Sequence, residues 1–298
     1  MNLHHPVMNN EKICIVVTAR APLIQIKSFI NYHLNKGIDL IYLFFDDPKD
    51  KAIKEIKNYK NVIYFRNNKN SPSSIEDRQR KNANFALSLA RKEGFKWICH
   101  LDIDELIWTK IELKKILRKV PNSIDYIRLA TLEAVPEKLH YEDPFKGITL
   151  FKNNFHKLSK RFFRGHACGK SIVRTNAEFD CIGVHRPTPG NKKLKSRYIL
   201  FNARLLHYFC YNYEDWKRKW VWRLDGTGKA KEMQPRENEY LERFKEVYNL
   251  NDEGKLINFY KKQFFVSEAK KKIFLKLKIL IRLKLNKEMF FCRDSFVK

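Results

Sequence analysis

Residues 97–107 read Trp-Ile-Cys-His-Leu-Asp-Ile-Asp-Glu-Leu-Ile, an apolar run that stops on the carboxylates of Asp102, Asp104 and Glu105. An unbroken apolar segment of this length fits a strand covered on both faces, as in a parallel sheet. Residues i and i+2 of a strand share a face, so Asp102 and Asp104 are expected to address one point beyond the strand end. Working outward, residues 13–17 form a second such run, ending at Thr18-Ala19-Arg20. Residues 40–45 form a third, stopped by Asp46-Asp47-Pro48, and residues 62–66 a fourth. Helical patterns lie between them. Pro22 suits a first helical turn, and Leu23, Ile26, Ile30, Tyr32 and Leu34 give one apolar stripe closed by Gly37. A lysine-rich helix is expected over 49–59, a polar loop over 67–74, and a helix over 75–93 with Ala83, Leu87 and Ala90 at helical spacing. This order predicts an α/β fold, an open twisted mixed sheet flanked by helices, with its ligand crevice at the strand C-termini. Thr18, Arg20, Asp46, Asp47, Asp102 and Asp104 all fall at such ends.

Beyond Glu112 the periodicity blurs, with one further helical stretch expected near 214–224 and no internal repeat. The last segment, 261–298, holds twelve Lys/Arg against three Asp/Glu, and Leu275, Leu277, Ile279, Ile281, Leu283 and Leu285 alternate with mostly basic residues. Period 2 predicts a strand, while the lysine content also allows a helix. It is read as a basic, apolar extension of a domain over 1–260, divided into 12–107 and 108–260.

Sixty Lys and Arg against 33 Asp and Glu leave the 298-residue chain at +27, with 44% hydrophobic residues. That composition supports a real core and excludes a disordered basic tail. The charge calls for an acidic partner: nucleic acid, an anionic membrane surface or a phosphate-bearing substrate. No apolar run reaches the ~18 residues of a membrane span. The opening MNLHHPVMNNEK lacks the apolar core of a secretory signal. Six scattered cysteines without C-x-x-C predict free thiols in a reducing cytosol.

Two hard carboxylates at a strand end suit Mg²⁺ or Mn²⁺, with phosphate oxygens and water completing the shell. His207 offers an imidazole as third ligand. Around these residues the sequence resembles a known family. The stretch IVVTARAPLIQIKSFINYHLNKGIDLIYLFFDD (15–47) resembles the opening of family-2-like glycosyltransferases of the GT-A fold. The likeness continues in DRQRKNANFALSLARKEGFKWICHLDIDELI (77–107) and in LLHYFCYNYEDWKRKW (205–220). Ala21-Pro22 stands where that group usually carries Asn-Glu.

The resemblance implies a metal-dependent, inverting transfer of a sugar from a nucleotide-diphosphate donor, UDP-sugar favoured, to a glycan or lipid-linked acceptor. The setting it suggests is surface polysaccharide or lipopolysaccharide assembly at the cytoplasmic face of a membrane. Thr18, Ala19 and Arg20 would line the base, and Asp46 or Asp47 would meet the base or ribose. Arg78 and Asn82, one helical turn apart, would face the crevice. Asp102 and Asp104 would hold the metal with His207. Lys217, and Lys219 or Arg223 beyond it, would pair the diphosphate, with Lys170 contributed by the Gly165–Lys170 segment. Glu133 is the expected catalytic base, with Asp180 and Asp143 as alternatives. A second reading, a nucleic-acid-binding protein, uses Tyr208, Phe209, Tyr211, Tyr213, Trp216, Trp220 and Trp222 interleaved with Lys217, Arg218, Lys219 and Arg223 for stacking on bases.

Overall fold

A computed structural model describes residues 11–67, 74–154, 168–199, 202–226 and 235–291. Strands β1 (Ile13–Ala19), β2 (Leu40–Phe45), β3 (Val62–Arg66) and β4 (Trp97–Asp102) run parallel, with β1 between β2 and β4. The connections are α1 (Leu23–Asn35), the single turn α2 (Ile53–Ile56) and α3 (Ile75–Lys92). Alternate residues of β1 explain its unbroken apolar run. Ile13, Ile15 and Val17 face a core shared with Ile26, Phe29 and Ile30 of α1. Cys14 and Val16 face Ala83, Ala86, Leu87 and Ala90 of α3 on the other side. The helix expected over 49–59 shrinks to one turn, because only Ala52, Ile53 and Ile56 there find a core to enter while the lysines stay exposed.

Beyond β4 the chain runs through β5 (Glu105–Thr109), α4 (Leu113–Arg118), β6 (Tyr126–Leu129), β7 (Thr131–Ala134), α5 (Pro144–Gly147) and β8 (Leu150–Asn153). After it come β9 (Lys170–Arg174), the hairpin β10 (Cys181–Ile182) and β11 (Pro187–Thr188), β12 (Ser196–Tyr198) and β13 (Ala203–His207). Four helices follow, α6 (Tyr213–Leu224), α7 (Pro235–Tyr248), α8 (Glu253–Phe264) and α9 (Glu268–Lys276), then β14 (Leu280–Arg282). Among the described residues these strands build a mixed sheet in the order β12-β6-β9-β4-β1-β2-β3 and a second in the order β14-β8-β7-β13-β5. The architecture is mixed α/β, a large mixed sheet flanked by helices. The expected crevice end of β4 is also where the chain leaves the first sheet for the second.

The C-terminal residues are part of this fold rather than an appendage. The boundary drawn at 260 falls inside α8, whose Leu256, Tyr260 and Phe264 pack with Trp216 and Trp220 of α6 and Phe244 of α7. The alternating run splits: its start lies in α9, while Leu280–Arg282 pairs antiparallel with β8 at the sheet edge. A 3-10 turn, Lys287–Phe290, then returns to α1, where Phe290 stacks on Tyr32 at 5.3 Å and accepts from Asn31 Nδ2 at 3.1 Å. Of the segments singled out above, Gly165-His166-Ala167 lies outside the described residues.

Candidate active site

β4 ends at Asp102, and Ile103-Asp104 turn the chain into β5. Asp104 therefore does not share a strand face with Asp102, and the two carboxylates meet different partners. Asp102 accepts from Gln79 Nε2 at 3.0 Å and pairs with Lys170 Nζ at 2.9 Å. Lys170 is wholly buried, and its ammonium also donates to the Val184 carbonyl at 3.0 Å and lies 3.5 Å from Glu105. Two hydrogen bonds and a nearby carboxylate hold this buried ammonium. Lys170 thus fastens Asp102 and Glu105 from inside the fold, where its burial keeps it from a nucleotide. Burial raises a carboxyl, but the Lys170 ammonium overrides it at Asp102 and holds that group well below the usual range. Glu105, whose carboxylate receives the Asp102 N–H at 2.8 Å, is instead pushed up to about 8 by burial.

Asp104 turns toward α6 and β13. Its Oδ2 pairs with Lys219 Nζ at 3.0 Å, and that ammonium also meets Asp215 at 3.1 Å and the Phe209 carbonyl at 2.7 Å. Its Oδ1 faces His207 Nε2 at 3.9 Å. His207 closes β13 directly between Glu133 on β7 and Glu105 on β5. Glu133 bonds His207 Nδ1 at 3.0 Å. A carboxylate only accepts, so Nδ1 carries the proton and Nε2 is turned toward Asp104. Burial disfavours the charged imidazole, but Glu133 and Asp104 outweigh it and raise His207 to about 10.

The residues present fit a hard divalent cation held by two side chains, provided that the cation takes the place of the proton on His207 Nε2. The 3.9 Å gap between Asp104 Oδ1 and His207 Nε2 is too long for a hydrogen bond and close to twice a Mg²⁺–ligand distance of about 2.0–2.1 Å. An imidazole whose other nitrogen is held by a carboxylate is the usual setting of a metal-binding histidine. Among the described residues no three His, Cys, Asp or Glu side chains converge on one point, so phosphate oxygens and water would complete such a shell.

At the neighbouring strand ends, Asp46 takes a two-pronged contact from Arg78, Nε at 2.7 Å and Nη2 at 2.9 Å, and a further bond from Asn67 at 3.2 Å. Burial opposes ionisation of Asp46, and the Arg78 guanidinium lowers it nonetheless. Asn82 donates to Thr18 Oγ1 at 2.9 Å, a buried link between α3 and β1. Beside them a cavity of about 310 Å³ is lined by Phe44, Phe65, Arg66, Asn67, Arg78 and Phe85. Arg20, after β1, lies over the Trp222 ring at 4.2 Å, and Arg223 over Trp220 at 4.4 Å. Neither guanidinium forms an ion pair within 4.0 Å among the described residues, although Arg20 is close enough to help lower Asp46.

Several expected site residues stand apart. Lys217 points to α8 and pairs with Glu253 at 2.7 Å. Asp47 accepts from the Lys49 N–H and fixes a turn. Asp180 donates its N–H to Thr188 and lines an open groove with Arg91 and Lys192, away from the acidic triplet. Asp143 caps α5. Glu133 is 1% exposed and reaches the site only through His207. Most of the stacking surface of the nucleic-acid reading is taken into the core: Tyr208, Tyr211, Tyr213, Trp216 and Trp220 are buried, and only Phe209 and Trp222 of its rings stay partly exposed. Gln79 belongs to the 77–107 stretch that carried the resemblance but was given no role, and Asp215 was missed. The Asp215-x-x-x-Lys219 spacing, one helical turn, was the available signal for the second.

The sequence profile of glycosyltransferase family 92 matches residues 13–246, which takes in every side chain of this cluster. The chain belongs to glycosyltransferase family 92. The motifs had pointed to the family-2-like group. Curated relatives include two glycosyltransferase-like proteins of Arabidopsis thaliana. At2g41451 is 26% identical over 265 residues, covering 72% of this chain and 57% of the relative. At3g57200 is 25% identical over 254 residues, covering 68% and 48%. This family 92 chain thus spans about half the length of the curated relatives it matches. Among solved structures, S. aureus TarS (residues 1–349) aligns with a TM-score of 0.39 at 14% identity, covering 89% of this chain and 78% of that one. HddC from Yersinia pseudotuberculosis aligns with a TM-score of 0.39 at 11% identity, covering 70% and 97%.

Proposed function

We propose that this chain transfers a glycosyl group from a nucleotide-diphosphate donor, UDP-sugar favoured, to a glycan or lipid-linked acceptor with inversion, as in surface polysaccharide assembly. One observation carries the reading. In a family 92 chain, the polar ends of β1, β2 and β4 face a helix, α6, that presents Lys219 and Arg223 across the crevice. The base and ribose would lie at Asp46, Arg78 and Asn67, beside the aromatic cavity. The unpaired edges of Arg20 and Arg223 match phosphate oxygens, since a guanidinium flat on a ring keeps its fork free for a bidentate oxyanion. Asp104 and His207 would hold Mn²⁺ or Mg²⁺, which when bound offsets charge building on a diphosphate.

In the transfer the acceptor oxygen bonds the anomeric carbon while the bond to the β-phosphate oxygen breaks, its electron pair leaving with the diphosphate. The acceptor proton passes to a general base, a contact that its burial denies to Glu133. Glu133 acts one step back, holding the His207 ring by Nδ1. The test is calorimetric titration of UDP and GDP, with and without Mn²⁺, together with release of nucleoside diphosphate from donor. Asp104→Asn should remove the effect of metal on UDP affinity, and Glu133→Gln, which loosens His207, should lower turnover at least tenfold and weaken the metal effect while metal-free UDP affinity stays within twofold. Absence of binding to any nucleoside diphosphate would overturn the reading, and collapse of metal-free UDP affinity in Glu133→Gln would make Glu133 a nucleotide-site residue.

A further inference from the structure

Helix α9 has two unlike sides. On the inner side Phe274 and Leu275 pack against Val135, Leu150 and Leu280, and Lys271 is buried on Glu137 at 2.7 Å. On the outer side Ile273 is 56% exposed and Leu277 45%, one helical turn apart. Exposed Lys270, Lys272, Lys276 and Lys278 ring them. None of these four ammonium groups has an ion-pair partner among the described residues. Glu268, the acid of this helix, is already paired with Lys271. Lys278 adds a backbone argument. It follows the helix C-cap with φ +55°, a left-handed position where glycine costs least, yet a lysine stands there.

We propose that the outer side of α9 docks on an anionic lipid bilayer, with Ile273 and Leu277 entering the headgroup boundary and the four lysines meeting lipid phosphates. Charge complementarity selects this occupant. Two aliphatic side chains on a convex, basic helix suit a deformable apolar phase with an anionic surface, the pattern of interfacial helices. Nucleic acid would satisfy the lysines but leave Ile273 and Leu277 against polar backbone, and the patch carries no aromatic ring to stack on bases. A second copy would set four lysines against four. No described helix is long and apolar enough to cross a membrane, and the contact drawn by α9 is an interfacial one. The proposal is independent of the donor reading, because none of these residues belongs to the cluster around Asp104.

The test is co-sedimentation of the full chain with phosphatidylcholine vesicles, with and without phosphatidylglycerol. The wild type should bind only the anionic vesicles and leave them as salt rises, since screening shortens the reach of surface charge. Reversal of Lys270, Lys272, Lys276 and Lys278 to Glu should weaken binding more than tenfold. Reversal of Lys51, Lys54, Lys57 and Lys60, exposed around α2, changes net charge equally and should leave binding within twofold. Ile273→Ser/Leu277→Ser should also weaken binding severalfold while the circular dichroism melt is unchanged, because both side chains are exposed. Binding reduced equally by both charge-reversal sets, or untouched by either, would overturn the proposal. So would a change in oligomeric mass, or loss of oligonucleotide binding without loss of vesicle binding, in the α9 variants. UDP binding should survive in every variant, so failure here is separate from failure of the donor reading.

Discussion

Lys217 and Lys219 are two residues apart on one helix, about 200° around its axis, and their fates show how a site is chosen. Lys217 is drawn to Glu253 on α8, whereas Lys219 falls between Asp104 and Asp215. Lys217→Met removes a half-exposed pair and should cost no more than about 1 kcal/mol of stability, with turnover unchanged. Lys219→Met should leave Asp104 without its cation and Asp215 with Arg218 alone, and reduce turnover at least tenfold; nucleoside diphosphate release compares the two directly. Lys170 has the opposite character, a fully buried cation between two carboxylates. Lys170→Met strands Asp102 and Glu105 and should destabilise by about 3–5 kcal/mol in denaturant titration, with part recovered in Lys170→Met/Glu105→Gln. Sequence alone singled out Asp102, Asp104 and His207 because carboxylates and imidazole after apolar runs are conspicuous. It gave Lys170 and Lys217 the wrong company, since which way a lysine turns is decided by packing between segments far apart in sequence, 68 residues for Lys170–Asp102 and 36 for Lys217–Glu253.

At the scale of elements, β1 and β2 were legible to within two residues, because strands covered on both faces must be apolar throughout. β3, an edge strand with Ile63 and Tyr64 exposed, was legible from its β-branched and aromatic residues instead. β5, β7 and β13 were not legible as one sheet. Each is short, and its partners are fixed by register with distant strands: His207 sits beside Glu133 and Glu105, neither near it in sequence. Composition misled most at the C-terminus, where a basic stretch read as an extension turned out to contain an edge strand and a helix. Deleting residues 261–298 should therefore expose the edge of β8 and the apolar surface that Leu280 and Phe290 cover, Val135 and Leu150 on one side and Tyr32 on the other. The shortened chain is expected to lose its cooperative thermal transition, which calorimetry would show; a retained transition would make the segment dispensable.

For the molecule as a whole, three buried histidines give stability opposite pH dependences. His33 bonds the Phe29 carbonyl through Nδ1 at 2.9 Å and receives the Ile107 N–H at Nε2, and burial lowers it to about 3. His100 is lowered to about 4, by burial and then by Lys170. Their contribution is intact above the unfolded value of about 6.5 and is lost as pH falls toward 4, each by up to about 1.4 kcal/mol per pH unit. His207 is raised, so its share is present below 6.5 and lost as pH rises toward 10. Between pH 6.5 and 5 this pair is opposed by Glu105, raised to about 8, which favours the folded state as pH falls. Two histidines outweigh one carboxyl, so the denaturation midpoint should still fall; His33→Gln should flatten that slope.

The two-residue passage from β4 to β5 also constrains how a chain of this kind can change by descent. Glu105, Ile107 and Thr109 lie opposite His207, Leu205 and Ala203, and the Ile107 N–H reaches His33 on α1. One inserted residue between Asp102 and Glu105 would turn every side chain of β5 to the opposite face. It would carry Glu105 away from Lys170 and Ile107 out of the core in a single step. Lineages of this protein should therefore lengthen and shorten in their surface loops while the count of residues from Asp102 to Thr109 stays fixed.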